Sequence, residues 1–561
     1  MKKISIFLLL FVLMLSMASC GDDNQTDDST HSGDNTPAFE LVNHTEADSP
    51  YRQEVSEGGK ARIVNRKAAP HLVVSTLLRT DLLINGDFLE PKDMEDYFAI
   101  AKATGMNTSE IVVMWSQIET AYDEYDYSDI ECYLDFAKKH GLKLNLIWYG
   151  SSTDGECHSA NVPDYIFEDP NKYTMIMDLF DFAHYGRTSI MDWSDDDLLE
   201  RETKAIYNMM NYVYEWNHKN DLYDPVVSVQ IGQGADRFQR WRVTQYVVLD
   251  KEGNLYNSND AWAMVHKYLN TVAKGVKYSK YKALTRVEFC EQNSVVNYVR
   301  DIEQLEFIDM VCPTYLHEIA STKNGIKSFT DEYSSMAVMN VENWAKDINY
   351  KQILATFAMG GTGYVSYQLS APIYIPDSPN GSLYKRYNAE GATLAEKFPE
   401  QGTRATDTKM INDALLKAYV PVANAARKNF TAFGLNNLLN NKTGSERIQK
   451  VYLTNGLQME FSNPIDSVGY AIYDNNYLYV FASKDATLDI LNCTITVAQQ
   501  GYFDELGEWV NEGVVNLANN KTLSIQAGVV YRVRIASINP LPDMEILENN
   551  GYKSPLDSIR G

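Results

Sequence analysis

The feature that most constrains the fold is an alternation of short apolar runs with amphipathic helical patterns between residues 71 and 368. Residues 71–78 are apolar and β-rich, and 93–104 place Met94, Tyr97, Phe98, Ile100 and Ala101 at helical spacing before Gly105. The strand series continues at 111–115, 142–149, 225–231, 283–289, 307–313, 336–341 and 363–368. The helix series continues at 130–140, 198–217, 261–278, 295–305 and 350–359, and Gly141 is placed to cap the helix before it. A gap follows Pro313, where no clear helical pattern precedes Met336. Strands that alternate with helices pair in parallel with both faces covered. Eight repeats over roughly 300 residues fit a (β/α)8 TIM barrel. A doubly wound open sheet fits less well, because no Gly-rich phosphate loop follows the first strand.

The N-terminus reads as an export signal. Lys2 and Lys3 precede an uncharged apolar run at 6–14, and Met17-Ala-Ser-Cys20 follows. The run is too short to span a bilayer. Small residues before a cysteine resemble the bacterial lipobox, which implies that Cys20 is lipid-modified and becomes the mature N-terminus. The acidic stretch behind it resembles the sorting signal of surface-exposed lipoproteins, and it reads equally as a soluble tether. The expectation is an exported lipoprotein of the outer membrane, at the cell surface or on the periplasmic face. The predicted organisation is a signal at 1–20, a tether at 21–65, the barrel at 66–395, a connecting helical segment at 396–445, a sandwich at 446–537 and a tail at 538–561.

A net charge of −25 argues against nucleic acid as a partner, since phosphates would be repelled. The six cysteines and nine histidines show no metal-ligand spacing, and no calcium loop motif occurs, so neither metal nor cofactor is expected. The 37 tyrosines and 8 tryptophans offer rings on which sugars could stack, although such rings are also common in cores.

Beyond Lys450 the texture changes to short alternating runs separated by turn residues such as Asp474-Asn-Asn, the pattern of an antiparallel β-sandwich. A helix around 413–429 is expected to pack between the two domains.

In a TIM barrel the reacting groups stand at the C-terminal ends of the strands. Those ends carry Trp115 and Glu119, Trp148, Gln230 and Gln233 with Asp236 beyond, Tyr315, Glu342 and Trp344, and Tyr367. Gly105-Met-Asn-Thr, Met114-Trp-Ser-Gln-Ile-Glu119 and Tyr125-Asp-Tyr-Ser come first, and Leu146-Ile-Trp-Tyr-Gly-Ser follows. In order and spacing these resemble the retaining β-galactosidases of glycoside hydrolase families 35 and 42, barrels of clan A. The resemblance covers 72–369 and thins between 154 and 220. It implies a β-linked oligo- or polysaccharide substrate, with Glu342 as nucleophile, Tyr315 hydrogen-bonded to it and Glu119 holding sugar hydroxyls. Trp115, Trp148 and Trp344 are candidate stacking platforms, and Gln230, Gln233 and Tyr367 complete the substrate-facing set. Neighbours in a surface glycan-uptake system are expected partners.

One departure stands out. Where the family carries its proton-donating Glu at the end of strand four, this chain reads Val229-Gln-Ile-Gly-Gln233-Gly234. Glycine cannot donate a proton, and loss of a general acid costs about 10²–10⁴ in rate. Three readings stay open. Asp236, Glu318 or Glu156 supplies the acid; or the carboxylates adopt the wider inverting spacing; or the barrel binds glycan without cutting it. The balance favours an active glycosidase.

Overall fold

The computed structural model describes residues 39–539 apart from 56–60, 79–82, 85–86, 89, 152–160, 170–171, 178–188, 233–247, 250–257, 291–304, 315–335, 343–348, 359, 368, 372–383, 386–392, 398–403, 426–428, 434–449, 454 and 462–466. The predicted signal, Cys20 and the tail beyond 539 lie outside the described residues, as does the predicted helix at 295–305 except for Leu305.

Eight parallel strands close into a barrel. In chain order they are strand one (Val73–Leu78), two (Thr108–Met114), three (Lys143–Tyr149), four (Val226–Ile231), five (Leu284–Cys290), six (Met310–Thr314), seven (Met336–Glu342) and eight (Gly363–Tyr367). Strand eight pairs with strand one through Gly363–Val73 and its neighbours, which seals the cylinder. The helices form where the apolar spacing placed them. Asp195 caps Asp196–Lys219 by accepting from the N–H groups of Asp197 and Leu198, and Gly141, at φ 64°, ends Ser128–His140.

Parallel neighbours share a face, so the pairings sort the side chains. Val73, Leu77, Val112, Met114, Ile147, Tyr149, Leu284, Met310 and Val365 point inward as one buried cluster. Trp148, Leu146, Ile111 and Val113 belong to the larger core between strands and helices. The interior also holds charge. Arg286 of strand five pairs across the barrel with Glu110 of strand two, both fully buried. Nearby, Ser228 donates to Asn145 at 2.8 Å.

The reading of 21–65 as tether needs correction. Tyr51–Val55 and Ala61–Asn65 form an antiparallel hairpin whose Tyr51, Ala61 and Ile63 plug the N-terminal floor of the barrel. The Tyr51 hydroxyl donates to the Asp224 carbonyl at 3.0 Å, and Arg66 pairs with the Asp224 carboxylate at 2.9 Å. The first of these strands, Tyr-Arg-Gln-Glu-Val, has only its end residues apolar, too little for a pattern of period two.

The C-terminal domain is the predicted sandwich, a six-stranded antiparallel sheet over a four-stranded one. Leu478, Val480, Leu488, Ile490, Leu523 and Val533 fill the space between them. It begins earlier than 446: Phe430–Phe433 is already a strand of the larger sheet. All four of its residues are buried, so nothing alternates. Among the described residues, the helices Arg404–Lys417 and Tyr419–Asn424 stand where one helix was expected at 413–429. They join barrel to sandwich through Asn412, which donates to the Thr104 carbonyl at 3.0 Å and accepts from the Tyr364 hydroxyl. On the other side, Tyr470 donates to the Ala414 carbonyl at 2.8 Å. Gly105, at φ +78°, lets this helix approach; a Cβ there would stand 2.8 Å from the Asp413 carboxylate.

Removing one member of a buried ion pair leaves the other charge uncompensated, at a cost of about 3–5 kcal/mol. Glu110→Gln is therefore expected to lower the urea-unfolding free energy by about that amount. A paired Glu110→Leu/Arg286→Met replacement should come much closer to wild type. Equal losses in the two proteins would show that the pair is not coupled.

Candidate active site

The strand ends gather at the C-terminal mouth. Strand two runs through Met114 into a short helix, Trp115–Ile118, and a hairpin that starts at Glu119. The Trp115 indole donates to one oxygen of Glu119 at 2.8 Å, and the Asp123 backbone N–H donates to the other at 3.0 Å. Glu119 is 2 % exposed and Trp115 is 0 % exposed. Burial raises the Glu119 pKa, against hydrogen bonds from Trp115, the Asp123 N–H and Tyr165 that lower it. The resemblance implies substrate contact for both, with a loop brace for Glu119 and a core position for Trp115 the equal alternatives. Here they brace the loop, each carboxylate oxygen having a donor and the indole being buried.

Trp148 also departs from its expected role. Its indole points outward from strand three and donates at 2.9 Å to Glu202, a fully buried carboxylate on the helix Asp196–Lys219. Glu202 further accepts from Tyr268 at 2.7 Å, from the Ser151 N–H at 3.2 Å and from the Ser151 hydroxyl. Burial raises its pKa against these four donors. The Trp-Tyr-Gly-Ser motif thus forms a latch that fixes the end of strand three and Ser151 just beyond it. Gly150 makes it fit, since a Cβ there would lie 2.0 Å from a Glu202 oxygen. The inward ring at this level is Tyr149, next in sequence.

At strand four, Gln230 faces the interior and is fully buried. Its amide Nε2 donates to Glu288 at 2.9 Å and to the Gly232 carbonyl at 3.3 Å. Gly232, at φ +87°, turns the chain out of the strand, and its N–H donates to the Trp148 carbonyl at 3.1 Å. Glu288 lies on strand five, two residues beyond Arg286 on the same face, and is 8 % exposed. Sequence reasoning passed over it. The available signal was a lone carboxylate at an alternate position of an otherwise buried strand, which burial tolerates only with partners or a task.

Glu342 and Tyr367 occupy the last positions of strands seven and eight and are paired in register. Asn340 and Val365 form another pair in the same alternate set, and Val365 faces inward, so both end positions belong to the inner face. Gln233, Asp236, Tyr315 and Trp344 lie outside the described residues, with Gly234, Glu156 and Glu318. Of the expected set, the structure therefore brings Gln230 to the inner wall together with the backbone positions of Glu342 and Tyr367. It places Trp115, Trp148 and Glu119 in the supporting shell.

No family model and no curated protein matches this sequence. Among solved structures, the chain is similar at 8% identity to the catalytic domain of a β-amylase from Paenibacillus polymyxa, over 60% of this chain and 97% of that one, with a TM-score of 0.43. It is similar at 12% identity to an exo-β-1,4-mannosidase from Opitutaceae bacterium strain TAV5, over 66% and 63%, with a TM-score of 0.43. A glycoside hydrolase family 30 subfamily 8 xylanase from Clostridium acetobutylicum matches at 9% identity over 88% and 99%, with a TM-score of 0.40. The likeness is too loose for any residue's role to be carried across.

The latch makes a specific expectation. Gly150→Ala should lower the urea-unfolding free energy by about 1–3 kcal/mol through overpacking against Glu202. Unchanged stability would mean that Glu202 yields at no cost and holds nothing.

Proposed function

We propose that this protein is an exported, lipid-anchored glycoside hydrolase that cleaves a β-linked glycan, with Glu342 at the end of strand seven as a catalytic carboxylate. The observation that carries the reading is the register. Glu342 occupies an inner-face position at the C-terminal end of a closed eight-stranded parallel barrel, the place where barrels of this kind hold their chemistry. The sequence resemblance to the β-galactosidases supports a carbohydrate substrate and a galactose-like sugar.

A second reading is favoured by one feature of the sequence. Strand four runs out into Gly232-Gln-Gly234, with no carboxylate where the resembled family has its acid. On that reading the barrel captures glycan for neighbouring proteins of an uptake system. A screen of aryl β-glycosides and polysaccharides separates the two. Wild type should turn over a β-glycoside, and Glu342→Gln should lose on the order of 10³-fold or more in kcat/KM while still binding glycan. Equal turnover by both proteins would remove Glu342 from the mechanism. Binding without turnover by either would establish the capture role.

The anchor has its own test. Cys20→Ser should move the protein from the membrane fraction to the soluble fraction and abolish incorporation of labelled fatty acid. A labelled Cys20→Ser protein would refute modification at this residue.

A further inference from the structure

Hydrolysis by two carboxyl groups needs one that attacks, or activates water, and one that gives a proton to the departing oxygen. The described carboxylates around the barrel differ in their surroundings. Glu110 is paired with Arg286, while both Glu119 and Glu202 are held in the shell by tryptophan, hydroxyl and backbone donors. Glu288 differs from all of them. It stands on the inner wall, retains a small accessible surface, and accepts the Gln230 amide at 2.9 Å.

Its position relative to Glu342 follows from the pairings. Glu288 lies beside Cys312 of strand six, and Val311 lies beside Ala337 of strand seven. In a barrel of shear 8 the level of the wall advances by about one residue per strand. Glu342 therefore sits about two residues nearer the mouth than Glu288, which is one inward-facing step. The Gln230 amide draws the Glu288 carboxylate toward the end of strand four.

We infer that Glu288 of strand five, held by Gln230, is the proton donor that works with Glu342. The inference rests on the glycosidase reading. As the anomeric C–O bond breaks, its electron pair stays on the departing oxygen, which takes the proton of the Glu288 carboxyl. Water then supplies the new anomeric hydroxyl, and its remaining proton returns to the carboxylate pair. Gln230 is a positioning residue: its amide fixes where the carboxyl points.

Leaving-group dependence tests this assignment. A dinitrophenolate departs without a proton and an alkoxide does not, so loss of a proton donor is selective. Glu288→Gln can still accept from Gln230, and should lose about 10²–10⁴-fold in kcat/KM on alkyl or unactivated aryl β-glycosides. On the 2,4-dinitrophenyl β-glycoside of the same sugar it should stay within about tenfold of wild type. Gln230→Met, which leaves the carboxyl in place without its amide, should show the same selectivity with a smaller loss. Glu342→Gln should lose on both substrates alike. An unselective loss in Glu288→Gln, or none, overturns the assignment and leaves the hydrolase intact. If Glu288→Gln does not fold, an unselective Gln230→Met overturns it equally. A wild type that cleaves no glycoside removes the hydrolase, and Glu288's role with it.

Discussion

The pairing of Arg286 with Glu110 is the constraint on which the upper barrel depends. Eight parallel strands enclose an interior that side chains must fill, and here one level of that filling is an ion pair joining opposite walls. Two opposite charges at one level of a water-poor space tie strand two to strand five more directionally than methyl groups would. Directly above, the same face of strand five presents Glu288, and the neighbouring Gln230 reaches across to it. The guanidinium below has its counter-charge in Glu110, and the amide of Gln230 is one of the contacts that place the upper carboxylate.

Three glutamates around this barrel illustrate how environment assigns work to one side-chain type. Glu110 neutralises a buried cation, and Glu119 and Glu202 act as structural acceptors under the loops of strands two and three. Held in this way, Trp115, Glu119 and Ser151 fix the first residues beyond strands two and three, and a site built on fixed elements keeps its geometry.

Much of this was legible in the sequence. The strand and helix alternation produced the barrel almost element for element, because strands and helices of ordinary length carried strong apolar signals and glycine stops such as Gly141. The side-chain directions were harder. Strand three is buried on both faces, so Leu-Asn-Leu-Ile-Trp-Tyr carries no hydrophobic alternation to say that Tyr149 faces in and Trp148 faces out. Tryptophan also suggests sugar stacking so readily that its capacity as an indole donor to a buried acid was overlooked. Glu288 is hidden for a related reason: in the sequence it falls within a buried strand, and the register with Cys312 shows how near the mouth it lies. The floor hairpin and the strand Phe430–Phe433 escaped notice because one is too polar and the other too uniformly buried for a pattern of period two.

The hairpin in the floor gives the molecule a direction. Leading into it, the chain is fastened along the barrel's underside: the His44 N–H donates to the Tyr278 carbonyl at 3.0 Å, and the Ser49 hydroxyl donates to the Lys282 carbonyl at 2.8 Å. Tyr278 ends a helix and Lys282 precedes strand five, so both belong to the end opposite the mouth. The strand ends that form the candidate site lie at the other end of the cylinder, so the end by which the chain enters the barrel and the end that would take substrate are separate.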